Sequence, residues 1–265
     1  MGKRNNSNDN LRMGKLFYAA ILTDRECDFG AIGLNNEVVC TVNYKDVAAL
    51  VSDYPRVSTI KLLKKNLSPY HRVVNGAAKR FTTIPARFGQ IARDAGEVGV
   101  ALRRNYGSIR RELSRLDGKV EMGLKVCWDV ENLFEHFIER DKSLKALRDK
   151  LKAKGSVSKM EQINFGHYFH ERMNQSRTYI TETILAALPP GEARVEDIRE
   201  DSMIANTMLL IRKDLRQQFE DAIDGLGKSM GNEYSLKLDG PWPPFSFVDR
   251  VELHLSHSVN LGQEG

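Results

Sequence analysis

Lys119-Val120-Glu121-Met122-Gly123-Leu124-Lys125-Val126-Cys127-Trp128 is the stretch from which the fold is read. Val120, Met122, Leu124 and Val126 alternate with Glu121, Gly123, Lys125 and Cys127. A period of two places one set on a core face and the other on a partly polar face, so this is a strand. On its N-terminal side Val98, Leu102, Ile109, Leu113 and Leu116 recur at helical spacing, and Gly118 closes that helix. Before it come a strand-like segment, Thr82 to Gly89, and a helix from Leu62 to Phe81 that Pro69 should interrupt near Ser68. Further back, Tyr54 to Thr59 is brief and extended, and Asp46 is expected to open a short helix through Val47, Leu50 and Val51. Glu37 to Val42 and Lys15 to Leu22 are strands; the latter lacks alternation, as expected of a strand buried on both faces. The order β-β-α-(β)-α-β-α-β predicts a ferredoxin-like α+β sandwich with additions.

On the C-terminal side the periods change. Val130, Leu133, Phe134, Phe137, Ile138, Leu144, Leu147 and Leu151 trace one helical stripe. A long helix runs from Lys159 to Leu188, where Pro189-Pro190-Gly191 stops it. Met203 to Ile211 reads as a buried strand, and Asp214 should cap a helix carrying Leu215, Phe219, Ile223, Leu226 and Met230. Two strands, Tyr234 to Leu238 and Phe245 to Val248, should flank the proline segment that begins at Gly240. A chain of 265 residues exceeds the usual single domain. The expected organisation is α+β in two domains: an arm over 1–14, a ferredoxin-like N-terminal domain over 15–128, a helix-rich C-terminal α+β domain with a small sheet over 129–257, and a tail over 258–265.

Composition excludes some functions. Hydrophobic residues make up 41% and charged residues 28%, as in soluble globular proteins. No apolar run approaches the roughly 20 residues that cross a bilayer, so no membrane partner is expected. The polar opening, Met1 to Asn10, lacks the apolar core of a signal peptide. Cys27, Cys40 and Cys127 are odd in number and widely spaced, which fits small buried side chains in a reducing, cytoplasmic setting. Net charge is +5 with a pI near 9.0, which permits an acidic partner without requiring one.

No catalytic centre is legible. The phosphate-binding and nucleophile-elbow glycine patterns are missing. His167, His170 and Glu171 share part of a helix, but metal sites favour i, i+4 spacing with converging ligands, so neither metal nor cofactor is expected. The chain does not read as an enzyme. The basic helix 98–115, with Arg103, Arg104, Arg110, Arg111 and Arg115 around Tyr106, is the alternative: a nucleic-acid-binding module tracking a phosphate backbone. Glu112 interrupts the basic run and no aromatic pattern of the RNP type lies on the candidate strands, so a solvated face outranks nucleic acid.

Three segments together resemble the gas vesicle protein F/L family: Thr83-Ile84-Pro85-Ala86-Arg87-Phe88-Gly89, Lys119 to Val126, and Gly240-Pro241-Trp242-Pro243-Pro244-Phe245-Ser246-Phe247-Val248. Gly166-His167-Tyr168-Phe169 with Arg172, and Asn206 ahead of Met208 to Ile211, add to the likeness. Ala86 departs from it, standing where an aliphatic residue is commoner. The resemblance implies a non-enzymatic accessory protein that binds the small hydrophobic gas vesicle shell protein, in a chaperone-like or nucleating role, and contacts other gas vesicle accessory proteins. It further implies a cytoplasmic protein associated with the vesicle. In the family pattern the histidine stretch supplies a glycine and an aromatic, not metal ligands. Partner contact falls on Arg87, Phe88, Trp242 and Phe245. Pro85, Gly89, Gly123, Asn206, Gly240, Pro241, Pro243, Pro244, Ser246 and Phe247 carry the motif's structure. For Trp242 a place in the core ranks ahead of docking, and for Arg87 an internal salt bridge or strand-end cap ranks ahead of partner contact.

Overall fold

A computed structural model describes residues 12–56 and 60–248. The expected arm and tail therefore lie outside the described residues, except for Arg12 and for Met13 and Gly14, which already belong to a strand. The chain divides into two compact units: one up to Val120 together with the residues from Trp242 onward, the other from Glu121 to Pro241. The expected domain boundary follows Trp128, with the proline segment in the second domain. The division into compact units falls inside the alternating strand, and the chain re-enters the first unit at Trp242.

In the N-terminal unit β1 (Met13–Leu22), β2 (Val39–Tyr44), β3 (Val47–Pro55), β4 (Thr83–Pro85) and β5 (Ile91–Ala92) form an antiparallel sheet in the order β2-β3-β1-β4, with β5 also pairing with β1. The central β1 is buried from Leu16 to Ile21, as its lack of alternation predicts. The helix expected after Asp46 is strand β3. Its first six residues are all buried, and a two-residue turn, Lys45-Asp46, joins it to β2. A ferredoxin-like order would place a helix between the first two strands. In place of that helix, residues 23–38 supply a 3-10 turn at Leu34–Asn36 and an isolated bridge from Asp28 to Cys40.

Two helices cover the sheet. In α1 (Lys64–Ala78), Tyr70, Val73, Val74 and Ala77 join Leu16, Tyr18, Ile21, Ala48 and Leu50 in one core cluster. Val47, Ala49 and Val51, alternate along β3, are buried on the other face. Helix α2 (Ala95–Leu116) packs along β1, β2 and β3. Pro69 does not break α1. It removes one donor, and the carbonyl left over is that of exposed Lys65 four residues back.

The C-terminal unit contains most of β6 (Lys119–Trp128), then α3 (Leu133–Arg140), α4 (Lys142–Lys152), α5 (Lys159–Ala187), β7 (Glu192–Val195), β8 (Met203–Arg212), α6 (Arg216–Met230) and β9 (Tyr234–Trp242). Its sheet runs β7-β8-β6-β9. The single stripe expected from Val130 to Leu151 is two helices, because Asp141 ends α3 and caps α4. Its carboxylate accepts from the N–H groups of Ser143 and Leu144 at 2.9 and 3.1 Å and from Arg172 Nε of α5 at 2.5 Å. Asp214 does not cap α6; its carboxylate pairs with Arg212 instead, and a 3-10 turn leads into the helix.

Burial alone would raise the Asp141 pKa, but Arg172 and the two backbone N–H groups hold it below the usual 3.8. A carboxylate with a depressed folded pKa stabilises the fold above its unfolded value, and that contribution is lost as pH falls through the folded one. Asp141→Ala should cost about 1–2 kcal/mol at neutral pH. It should also flatten the acid limb below the usual carboxylate value. Hydrogen exchange of α3 to α5 at neutral and acid pH reads both effects, and equal acid sensitivity in wild type and variant would refute the assignment.

Candidate partner-binding site

The proline segment enters as the end of β9 and leaves as a turn. β9 runs through Pro241 to Trp242 on the sheet edge, where a residue without an N–H costs no ladder bond. The Gly240–Pro241 peptide is cis. No strand forms over Phe245 to Val248; the N–H groups of Phe245 and Phe247 instead donate to the carbonyls of Pro243 and Pro244 at 2.7 and 3.3 Å. The side chain that fills the core is Phe247, at 1% exposure, and Pro243 and Pro244, four and three residues before it, are buried too. Trp242 is 36% exposed, so the expected core plug is a surface indole. Two stiff rings turn the chain after Trp242, and that geometry leaves the indole out while the phenyl rings go in.

The segment Thr83 to Gly89 reaches the same region of the N-terminal unit. Pro85 ends β4 opposite Ala19, and Gly89, at φ +86°, occupies a conformation that favours glycine. Phe88 meets the Tyr70 ring edge-on at 5.3 Å, and Tyr70 stacks on Tyr18 at 5.9 Å. The Tyr70 hydroxyl donates to the Ala86 carbonyl. His71, the next residue of α1, meets Phe245 at 5.3 Å. Two motifs that lie more than 150 residues apart in sequence thus converge on Tyr70 and His71. Phe88 and Phe245 are half-buried anchors packed against the core. Arg87 is exposed and makes no ion pair among the described residues, which leaves the strand-end cap of the two internal roles expected for it.

The basic helix is largely committed. Arg110 Nε donates to Asp46 at 2.7 Å, and Tyr106 donates to the same carboxylate at 2.6 Å. The Tyr106 bond first, then Arg110, holds that carboxyl below its usual range. Arg103 lies over the Tyr44 ring. Arg115 pairs with Glu112 and donates to the Phe247 carbonyl at 2.5 Å. Arg104 and Arg111 remain exposed. These contacts fasten the β2–β3 turn and the proline segment to α2.

In the C-terminal unit Phe169 packs on Phe134 and Phe137 at 5.3 and 5.7 Å, while Arg172 holds Asp141. The Gly166 to Arg172 motif therefore ties α5 to α3 and α4. Gly123 is buried in β6 and Asn206 in β8, whereas Ser246 is half-buried. His167, His170 and Glu171 face solvent along α5, and among the described residues no group of three or more His, Cys, Asp or Glu converges as a metal site. No helix of the described residues is long and apolar enough to cross a membrane.

The family model described as gas vesicle synthesis protein GvpL/GvpF matches residues 14–249. The chain belongs to the GvpL/GvpF family. It is 27% identical over 224 residues to gas vesicle protein F of a Streptomyces species, covering 83% of this chain and 92% of that relative. It is 24% identical over 240 residues to gas vesicle protein L of Haloferax mediterranei, covering 83% and 74%. The crystal structure of GvpF from Anabaena sp. PCC7120 superposes with a TM-score of 0.80 at 20% identity, covering 88% of this chain and 97% of that one. That likeness shows the α+β fold. GvpL/GvpF membership makes this a gas vesicle accessory protein, and the converging motifs are its candidate partner-binding site.

Proposed function

We propose that this GvpL/GvpF protein binds the small hydrophobic shell protein of gas vesicles during assembly, in a chaperone-like or nucleating role, and that it acts in the cytoplasm alongside other accessory proteins. One observation carries the reading. Within the motif segments, Trp242 and Arg87 face solvent although Phe88, next to Arg87, and Phe245, three residues after Trp242, are packed against the core. An exposed indole, and a guanidinium with no ion pair among the described residues, on an anchored backbone are the usual ingredients of a binding hot spot. A subunit that presents an apolar surface before assembly aggregates unless that surface is covered, and an aromatic patch with a charged rim covers it.

The test is co-purification with a soluble-tagged shell protein at low and high salt. Capture should weaken yet persist at high salt, because the contacts of a charged rim are screened and an apolar contact is not. Trp242→Ala should weaken capture by about 30-fold, the scale of a central aromatic anchor, with an unchanged melting temperature. No capture at either salt would end this reading.

A further inference from the structure

From Tyr54 to Arg93 the chain carries nine Lys or Arg and not one Asp or Glu, although acidic residues number 35 overall. α1 lies within this stretch, and its start breaks the rules of helix design. The N-cap is Leu63, with no side-chain hydrogen bond to the first turn; Lys64 and Lys65 follow, and the first turn has no acidic residue. Ser, Thr, Asp or Asn would cap better, and carboxylates would suit the positive end of the helix dipole. The segment is nevertheless ordered: the Lys61 carbonyl accepts from the Leu63 N–H at 2.8 Å and from Asn66 Nδ2 at 2.9 Å. Leu62 is 63% exposed and Leu63 45%. Residues that oppose the local fold and cover no core of their own mark a surface kept for something else.

The neighbours complete it. Ile60 is buried, and a Cβ placed on Gly89 would come 3.9 Å from it, so the leucines start beside the Arg87-Phe88-Gly89 turn. Lys61, Lys64, Lys65, Arg72 and Arg87 are all exposed, and none has an ion-pair partner among the described residues. We propose that the α1 start, with Leu62 and Leu63 at its centre and these five cations around it, docks an acidic amphipathic helix of a protein partner. Leucine-type side chains of that helix would cover Leu62 and Leu63, and its carboxylates would meet the lysines and arginines while completing the exposed helix N-terminus. Nucleic acid would use the cations but leave two exposed leucines without a role. The inference rests on the proposed function in one respect: it names where, and with what chemistry, a shell protein would be held.

The experiment uses the full chain and a labelled acidic amphipathic peptide of about 18 residues, enough for a two-sided helix, with its scrambled isomer and a single-stranded RNA oligomer as competitors. Two variants are compared with wild type: Lys64→Glu with Lys65→Glu, and Leu62→Ser with Leu63→Ser. Both sets suit a helix start better than the native residues, so the melting temperature should hold or rise. Wild type should bind the peptide at least about tenfold tighter than the scramble, and each variant should lose about tenfold or more, the range of a hot-spot contact. Equal binding of peptide and scramble would overturn the inference. So would binding of RNA in preference to peptide, lost on charge reversal and untouched by the serines. Shell-protein capture separates the two readings. If wild type and both variants all capture it, this docking surface is refuted and the proposed function stands. If the peptide binds here but shell protein is never captured, the surface stands and that function falls.

Discussion

Replacing Phe247 with alanine should destabilise the N-terminal unit by about 3–5 kcal/mol, the range for deleting a fully buried phenyl ring. The ring is 1% exposed, and its backbone carbonyl is held by the Arg115 guanidinium at 2.5 Å. Relaxation into the resulting cavity is the usual relief, but Pro243 and Pro244 just before it have fixed φ and are themselves buried. The loss therefore belongs near the upper end of the range. With two units present, one melting temperature does not define the effect. Hydrogen exchange of β1 and β3 against β8 does: protection should fall in the first two strands and hold in the third. Loss confined to β8, or a change under about 1 kcal/mol, would show that Phe247 is not a core residue of that unit.

Gly240→Ala, seven residues earlier, should act on the other unit. Gly240 has φ +119°, where L-residues are strained. A Cβ there would stand 3.0 Å from the Glu121 carbonyl oxygen and 3.1 Å from Met122 Sδ. The thioether can shift; the backbone oxygen belongs to strand β6 and cannot do so without parting β6 from β9. Strain of this kind costs about 1–3 kcal/mol. Exchange in β6 and β8 should quicken while β1 and β3 keep their protection, the reverse of the Phe247→Ala pattern. The same signature in both variants would contradict the division of the proline segment between the units.

Much of this was legible in the sequence. The strand over Lys119 to Trp128, the unbroken apolar run of β1, and the long helix ended by Pro189-Pro190 follow from period and punctuation alone, although Glu121 and Gly123, on the face expected to be partly polar, are buried. Asp46 misled because the β2–β3 turn uses Lys45 at φ +54° in place of the Asn or Gly that announces such a turn, so a capping residue before apolar positions imitated a helix start. The helices α3 and α4 read as one because their apolar stripes stay in phase across Asp141, and only the backbone shows that its carboxylate starts a new helix. Trp242 was misplaced for a simpler reason. A proline-rich segment has no period, so nothing in it says which of its aromatics turns inward. The convergence of Phe88 and Phe245 on Tyr70 and His71 links distant stretches through a third, which no single-sequence pattern encodes. The uncapped, cation-flanked start of α1 was visible as residues all along; its meaning required knowing that the helix begins at Lys64 and that both leucines face water.

The first unit is left at Val120 and rejoined at Trp242, and this fixes an order of events on the ribosome. The intervening unit is complete in sequence at Pro241, just before the residues that complete the first. The first unit must wait for Phe245 and Phe247, which leave the ribosome roughly 6–25 s after Val120 at ordinary elongation speeds. During that interval the Tyr70 and His71 region lacks its C-terminal cover. A message truncated before Pro243 would yield a second unit able to close beside a first unit that never does, so a premature stop near the C-terminus is expected to behave as a defect of the N-terminal half.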